Sequence, residues 1–314
     1  MEEALRGFPG QFAWEPEVGG GIPSATRFLV CGMGGSHLGA SLLLAHDPSL
    51  PIRIHSDYGL PTVEANTLII LSSYSGNTEE ALDAAATVVQ AGLPTVAITT
   101  GGKLADFASA NNIPLILLPE TGVEPRMAVG YQLLALAQVV GGNELVEAVR
   151  AAGSSIDPEA TQEMGTEIGT ALASRIPLIY ASSRNEIVAR IWKIFFNETA
   201  KIPAFSYPIP EFCHNELSGY DGEEELRQHL LPIFLTDEED HPRNIARMEI
   251  ARDLLNERGT DTIAVPLEGA SSLAKALSGM TIGVWAALTL AKEYGVPDAE
   301  TPIIAEFKDR MSDV

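Results

Sequence analysis

Residues 67–80 read TLIILSSYSGNTEE, and the fold follows from how this stretch is parsed. Thr67–Ser72 is an apolar run without polar alternation, the pattern of a strand buried on both faces. Ser73-Tyr74-Ser75-Gly76-Asn77 then breaks the run with hydroxyls and a glycine. A helical pattern opens at Thr78-Glu79-Glu80 and continues to residue 90. A buried strand, a hydroxyl-rich turn and a helix start is one half of a parallel α/β unit. In open α/β sheets, ligands bind at the carboxyl ends of the strands. A helix start presents unpaired N–H groups and partial positive charge, which suits an anion such as phosphate. Ser73, Ser75 and Thr78 add hydroxyl donors, and Gly76 lets main chain approach closely. Taken alone, the same residues also fit a polar turn in which Thr78 caps the helix.

Outward from this stretch the alternation continues. Strands are expected at Arg27–Cys31, 52–56, Thr95–Thr99 and 114–118, and helices at 36–45, 104–110 and 126–140. A break follows: glycine-containing turns at 141–143 and 153–155 flank a short polar helix, and Asp157-Pro158 starts another. The pattern then resumes, with strands at 177–181, 231–235 and 262–266 and helices at 185–201, 241–256, 271–294 and 298–311. The second half thus reads as a second copy of the first, dividing the chain into domains 1–150 and 151–314. The expected class is α/β, with mainly parallel sheets between helical layers.

Composition narrows the function. Acidic residues outnumber basic ones 42 to 20, for a net charge of -22. Nucleic-acid binding needs a basic face, and an anionic membrane surface would repel this chain. Two cysteines, Cys31 and Cys213, make no disulfide framework and point to a reducing interior. The start, MEEALRGFPGQF, lacks the cationic and apolar segments of a secretory signal. The apolar stretch 276–291 carries too many Gly, Ser and Thr for a good bilayer span and reads as a buried helix. A cytoplasmic protein is expected.

A second loop repeats the first. Cys31-Gly32-Met33-Gly34-Gly35-Ser36 also runs from strand through glycines to helix. It lacks the G-x-G-x-x-G spacing of dinucleotide folds, since Gly39 lies four beyond Gly35, and Asp57 is a weak candidate for the ribose acid. No lysine follows the glycines as in a nucleotide P-loop. The pair GMGGS (32–36) and SSYSGNTEE (72–80), each after a strand, resembles the sugar isomerase (SIS) fold, which binds phosphorylated sugars. TGVEPRMAVGY (121–131), FFNETAK (195–201), PEFCHNEL (210–217) and TPIIAEFK (301–308) extend the likeness over nearly the whole chain. In order and spacing they resemble the bifunctional phosphoglucose/phosphomannose isomerase family. The resemblance implies two SIS-type three-layer α/β/α sandwich subdomains and no metal or organic cofactor.

Each candidate catalytic residue carries two readings. Glu198 has Phe195, Ile194 and Ile191 on its helical face, so burial would raise its pKa toward that of a general base; pairing with Lys201 is the alternative. The resemblance makes Glu198 the base that moves a proton between C2 and C1 through a cis-enediol. His214 by itself reads as structural, and the other histidines, 37, 46, 55, 229 and 241, show no ligand-like spacing. The resemblance gives His214 a part in ring opening, contributed across a homodimer interface; separately from the resemblance, nearby Glu216 is read as a neighbour that orients it. Lys308 shares a helical face with Thr301, Ile304 and Met311 and reads first as a lysine snorkelling at a core edge. The resemblance assigns Lys308 to ring opening and makes Thr301 the small residue that leaves room for rotation about C2–C3, permitting the mannose epimer.

Arg126 follows Pro125 at an expected helix start, where a cation is poorly placed unless an anion is near. Glu124 is one such anion, and a developing enediolate is the other. With Gly35, Ser36, Ser73, Ser75 and Thr78 holding phosphate, the leading reading is an aldose–ketose isomerase acting on glucose 6-phosphate and mannose 6-phosphate. A SIS enzyme for another phosphosugar and a non-catalytic phosphosugar sensor are the alternatives, and a sensor has no need of Glu198, His214 and Lys308 together. The negative net charge offers no long-range steering, so short-range donors must hold the anion.

Overall fold

The computed structural model describes residues 1–311. The chain divides into two compact units. An N-terminal unit holds Glu3–Asp157 and Gly269–Leu277; a C-terminal unit holds Met1–Glu2, Pro158–Glu268 and the chain from Ser278.

In the N-terminal unit the strands are β1 (Val18–Gly19), β2 (Arg27–Cys31), β3 (Ile52–His55), β4 (Thr67–Ser72), β5 (Thr95–Thr99) and β6 (Leu115–Leu117). They form one sheet in the order β1-β6-β5-β4-β2-β3. Every pairing is parallel except that of β1 with β6, which is antiparallel and two residues long. Successive strand residues face opposite sides, and β4 and β5 are buried at every position, so both faces of the sheet are covered.

The helices are α1 (Glu2–Arg6), α2 (Leu38–His46), α3 (Glu79–Ala91), α4 (Gly102–Ala110), α5 (Val129–Val140) and α6 (Gly142–Ser154). One face packs Leu29, Cys31, Ile69, Leu71 and Ala97 against Ala84, Ala85 and Val88 of α3 and Leu104 and Ala108 of α4. Burial there pushes the Cys31 thiol up to about 12, so it stays an inert, protonated core group. Helix α2 meets α5 closely at Gly39, where a Cβ would stand 2.9 Å from the Leu136 side chain. The first residues, which carry no sequence-level reading, supply core: Leu5, Phe8 and Phe12 are fully buried. The ring of Phe12 lies against Gly153 of α6.

The C-terminal unit has strands β7 (Ile176–Ser182), β8 (Phe205–Ile209), β9 (Leu230–Thr236) and β10 (Ile263–Pro266), paired wholly in parallel in the order β10-β9-β7-β8. Its helices are α7 (Gln162–Ala171), α8 (Glu186–Glu198), α9 (Glu224–Arg227), α10 (Pro242–Glu257), α11 (Ser272–Tyr294) and α12 (Pro302–Met311). Strand β8 escapes the sequence reading because it is a half-exposed edge containing Pro208, a place that tolerates a missing N–H. Helix α11 is long and apolar enough to cross a membrane by length and composition. Its residues are mostly buried in the protein instead: Trp192 of α8 donates its indole N–H to the Gly279 carbonyl at 2.7 Å and lies against Gly283. Tyr180, Ile209, Phe212, Tyr220, Phe234, Met248, Ala251 and Leu255 form a second core between this sheet and α10.

Candidate active site

The N-terminal unit places the two loops read from the sequence side by side at the carboxyl ends of β2 and β4. A Cβ on Gly32 would stand 2.8 Å from the Ser72 carbonyl oxygen, so only glycine allows this approach. Ser72 Oγ donates to the Ser36 carbonyl (2.7 Å), and the Tyr74 N–H donates to Ser36 Oγ (2.9 Å). Ser36 is buried, and its hydroxyl helps build the loop by accepting this bond. Gly35, the other candidate in this loop, packs its main chain on Pro125 and Arg126.

Ser73 is fully buried and donates its hydroxyl to Thr78 Oγ1 (2.8 Å). A hydroxyl that accepts one bond keeps its own hydrogen to donate, so the Ser73–Thr78 pair leaves the Thr78 hydroxyl with a hydrogen to donate. Thr78 precedes α3 but makes no side-chain cap to it, contrary to the capping alternative. Ser75 is exposed, with its hydroxyl accepting from the Asn77 N–H at 3.3 Å. The loop is clamped from behind: Gly76, at φ +69°, donates its N–H to the Ser73 carbonyl and accepts from the Leu104 N–H.

Arg126 lies beside these loops in the same unit, but not at a helix start. Helix α5 begins at Val129, and Arg126 belongs to the turn before it. Its side chain is 3% exposed and stands 3.8 Å from the Glu124 carboxylate. The buried amide of Gln11 braces the junction, donating to the Met127 carbonyl (2.8 Å) and accepting from the Gly130 N–H (3.0 Å). Gln11 is a site-supporting residue that sequence reading missed; its only signal is a polar residue inside an apolar N-terminal run.

The C-terminal unit holds Glu198, His214, Thr301 and Lys308. Glu198 is half-buried in the last position of α8, with Ile191 and Phe195 buried on its face. A carboxylate at a helix C-terminus meets the negative end of the dipole, which is unfavourable unless a cation compensates. The Lys201 ammonium, on a residue held at φ +58°, donates to the main-chain oxygen of Glu198. His214 is exposed in a short 3-10 turn after β8. The Glu216 carboxylate accepts from the Tyr180 hydroxyl (3.1 Å), which also meets the Tyr220 hydroxyl (3.2 Å). Burial raises Glu216 above the ordinary carboxylate range and pushes Tyr220 up to about 12. Helix α12 buries none of its residues, so Lys308 does not snorkel at a core edge; Thr301, just before it, is half-buried.

The second sheet repeats the strand–serine–helix plan with a different filling. Ser182 ends β7, and its hydroxyl donates to Asp240 Oδ1 (2.6 Å); the Asn185 amide donates to Asp237 (3.1 Å) and Asp240 (3.4 Å). Asp237 and Asp240 are 2% and 5% exposed. Carboxylates of the protein thus take the Ser182 and Asn185 donors in this unit. Burial and the neighbouring Asp237 charge raise Asp240 above the usual carboxylate range. A raised carboxyl pKa favours the folded state at low pH, and that advantage is lost as pH rises through the folded value. Asp240→Asn should therefore gain stability relative to the parent as pH rises from about 4 to 7. Urea midpoints at the two pH values check this; a larger loss at pH 7 would mean the fold requires the ionised form. Among the described residues no group of three or more His, Cys, Asp or Glu is placed to hold a metal.

A parallel α/β unit with a serine cradle at the ends of its strands, joined to a second α/β unit, is the architecture of SIS proteins. Residues 161–311 match the family of the bacterial phospho-glucose isomerase C-terminal SIS domain. The chain is 31% identical to a bifunctional phosphoglucose/phosphomannose isomerase of Aquifex aeolicus over 99% of both chains. It is 28% identical to a D-glucosamine-6-phosphate 4-epimerase of Sulfolobus acidocaldarius over 92% of this chain and 90% of that one. A hypothetical protein of Thermus thermophilus superposes with a TM-score of 0.73 at 19% identity, over 99% of this chain and 87% of that one. The chain belongs to the bifunctional phosphoglucose/phosphomannose isomerase family.

Proposed function

We propose that this protein interconverts glucose 6-phosphate and mannose 6-phosphate with fructose 6-phosphate. The observation that carries the reading is the paired-loop cradle beside Arg126, in a chain related along its full length to enzymes named for these two activities. Ser36, Ser75, Thr78 and the main chain at Gly35 hold the phosphate, with Ser73 orienting Thr78. His214 and Lys308 open the sugar ring. Glu198 then takes the proton from C2 of the open aldose. The C2–H electron pair forms the C1–C2 double bond of a cis-enediol(ate), and the former carbonyl oxygen takes up charge that Arg126 stabilises. A proton passes from O2 to O1, and returning the first proton to C1 yields the ketose with its C2 carbonyl, with no net oxidant or reductant. Thr301 leaves room for rotation about C2–C3, so proton return to either face of C2 gives both epimers.

The active form is a homodimer in which His214 serves the partner's site. Helix α12 supports this assembly. Ile303, Phe307 and Met311 recur on one stripe, and Ile303 and Phe307 are 78% and 63% exposed. Such a patch normally finds a partner surface. Replacing both Ile303 and Phe307 by Asp should shift the protein from dimer to monomer in sedimentation velocity. A dimer that persists unchanged would remove α12 from the interface.

The test of function is a coupled assay with each aldose phosphate in EDTA. Turnover of both is expected. Turnover of glucose 6-phosphate alone would remove the permissive role of Thr301. Phosphosugar binding without turnover of either would favour a different phosphosugar, a reading that the glucosamine 6-phosphate relative keeps open.

A further inference from the structure

Tyr74 sits between Ser73 and Ser75, and three loops meet on it. Its N–H donates to Ser36 Oγ (2.9 Å), which ties the serine loop to the glycine loop. Its carbonyl accepts from the Thr100 N–H (3.0 Å), Thr100 Oγ1 (2.7 Å) and Thr99 Oγ1 (3.3 Å), which ties it to the end of β5. Its side chain turns the other way. The phenol is hydrogen-bonded to Thr121, and Glu120, Glu124 and Tyr131 stand around it. That third loop carries Arg126, whose guanidinium faces Glu124 and whose main chain lies on Gly35.

We propose that Tyr74 is a positioning residue that couples phosphate capture to the placement of Arg126, its main chain holding the phosphate loop and its phenol holding the arginine loop. The proposal rests on the isomerase reading above. Its physical content is a distance constraint. The phosphate is at C6 and charge develops at C1 and C2, so the grip at one end and the cation at the other must keep a fixed separation. A misplacement of about 1 Å between a binding group and a reacting centre can cost up to about 100-fold in rate. The phenol is half-buried, and burial together with the surrounding carboxylates raises its pKa, so it stays neutral through the working pH range.

Tyr74→Phe removes only the hydroxyl and keeps the ring and every main-chain bond. Competitive inhibition by inorganic phosphate should stay within about twofold of the parent, since the cradle donors are untouched. The kcat for glucose 6-phosphate should fall about tenfold. Arg126→Lys should lower kcat as well, and the Tyr74→Phe/Arg126→Lys double variant should fall no further than Arg126→Lys alone, because the two act through one group. An unchanged kcat in Tyr74→Phe overturns the proposal. So does a fall in phosphate affinity equal to the fall in kcat, which would place the effect in the cradle, and so does an additive double variant. A parent that binds phosphate and turns over neither aldose phosphate overturns the isomerase reading, and this proposal with it.

Discussion

Glu198→Gln should lower kcat about 10²–10⁴-fold, the range supplied by a positioned acid–base group, while sugar-phosphate affinity stays within a few-fold. The substitution keeps the size and shape of the side chain and removes the oxygen that takes a proton. Glu198 ends α8, on a face that also carries buried Ile191 and Phe195. The coupled assay gives kcat, and titration calorimetry with glucose 6-phosphate gives affinity. A kcat within about threefold of the parent would remove Glu198 from the chemistry. Loss of binding with kcat preserved at saturation would make it a binding residue instead.

Gly76→Ala should destabilise the protein by about 3–5 kcal/mol and abolish phosphate binding in whatever remains folded. The Cβ would stand 1.8 Å from the Gly101 carbonyl oxygen, a main-chain atom, at φ +69°. The loop can relieve that clash only by moving away from residues 99–104, which breaks the bond from the Leu104 N–H to Gly76 (2.9 Å). Gly92 supplies the control. It has a similar φ, +63°, at the end of α3, with nothing within 4 Å of its Cβ position. Gly92→Ala should cost only about 1–2 kcal/mol, the strain of the left-handed backbone alone. Denaturant midpoints and phosphate titrations of both variants check this; equal effects would mean that the packing of Gly76 on Gly101 is unimportant.

The fold was most legible where side chains answer only to burial. Arg27–Cys31, Thr67–Ser72 and Thr95–Thr99 are unbroken apolar runs, and the structure has strands with those bounds. Strand β8 was not legible, because Phe205 faces solvent and Pro208 breaks the pattern at an edge where tertiary context decides. The N-terminal core was hidden for a related reason. Pro9 and Gly10 disrupt helical periodicity, while the 3-10 turn of Phe8–Ala13 still presents Phe8 and Phe12 to α5 and α6.

Within the candidate site, the two loops could be read because each follows its strand directly in sequence. Arg126 stood out by its chemistry, though its local structure differs from the expectation: a turn, with α5 starting three residues later. The buried pair Asp237 and Asp240 lies in the run DEED, which looks like a solvated surface. What buries it is a set of donors on Ser182 and Asn185, more than 50 residues away in sequence, which no local pattern reveals. The same distance problem applies to Glu216, whose partner Tyr180 lies 36 residues upstream in β7.

Fructose 6-phosphate incubated with the protein in deuterium oxide, with the products resolved by NMR, tests the proposed chemistry most directly. The account predicts that glucose 6-phosphate and mannose 6-phosphate both accumulate, that each carries deuterium at C2, and that Glu198→Gln forms neither at a comparable rate. Deuterium enters because the proton held by the base exchanges with solvent before it is returned. Failure to form either aldose phosphate, or aldose phosphates carrying only protium at C2 after many turnovers, would contradict the enediol account.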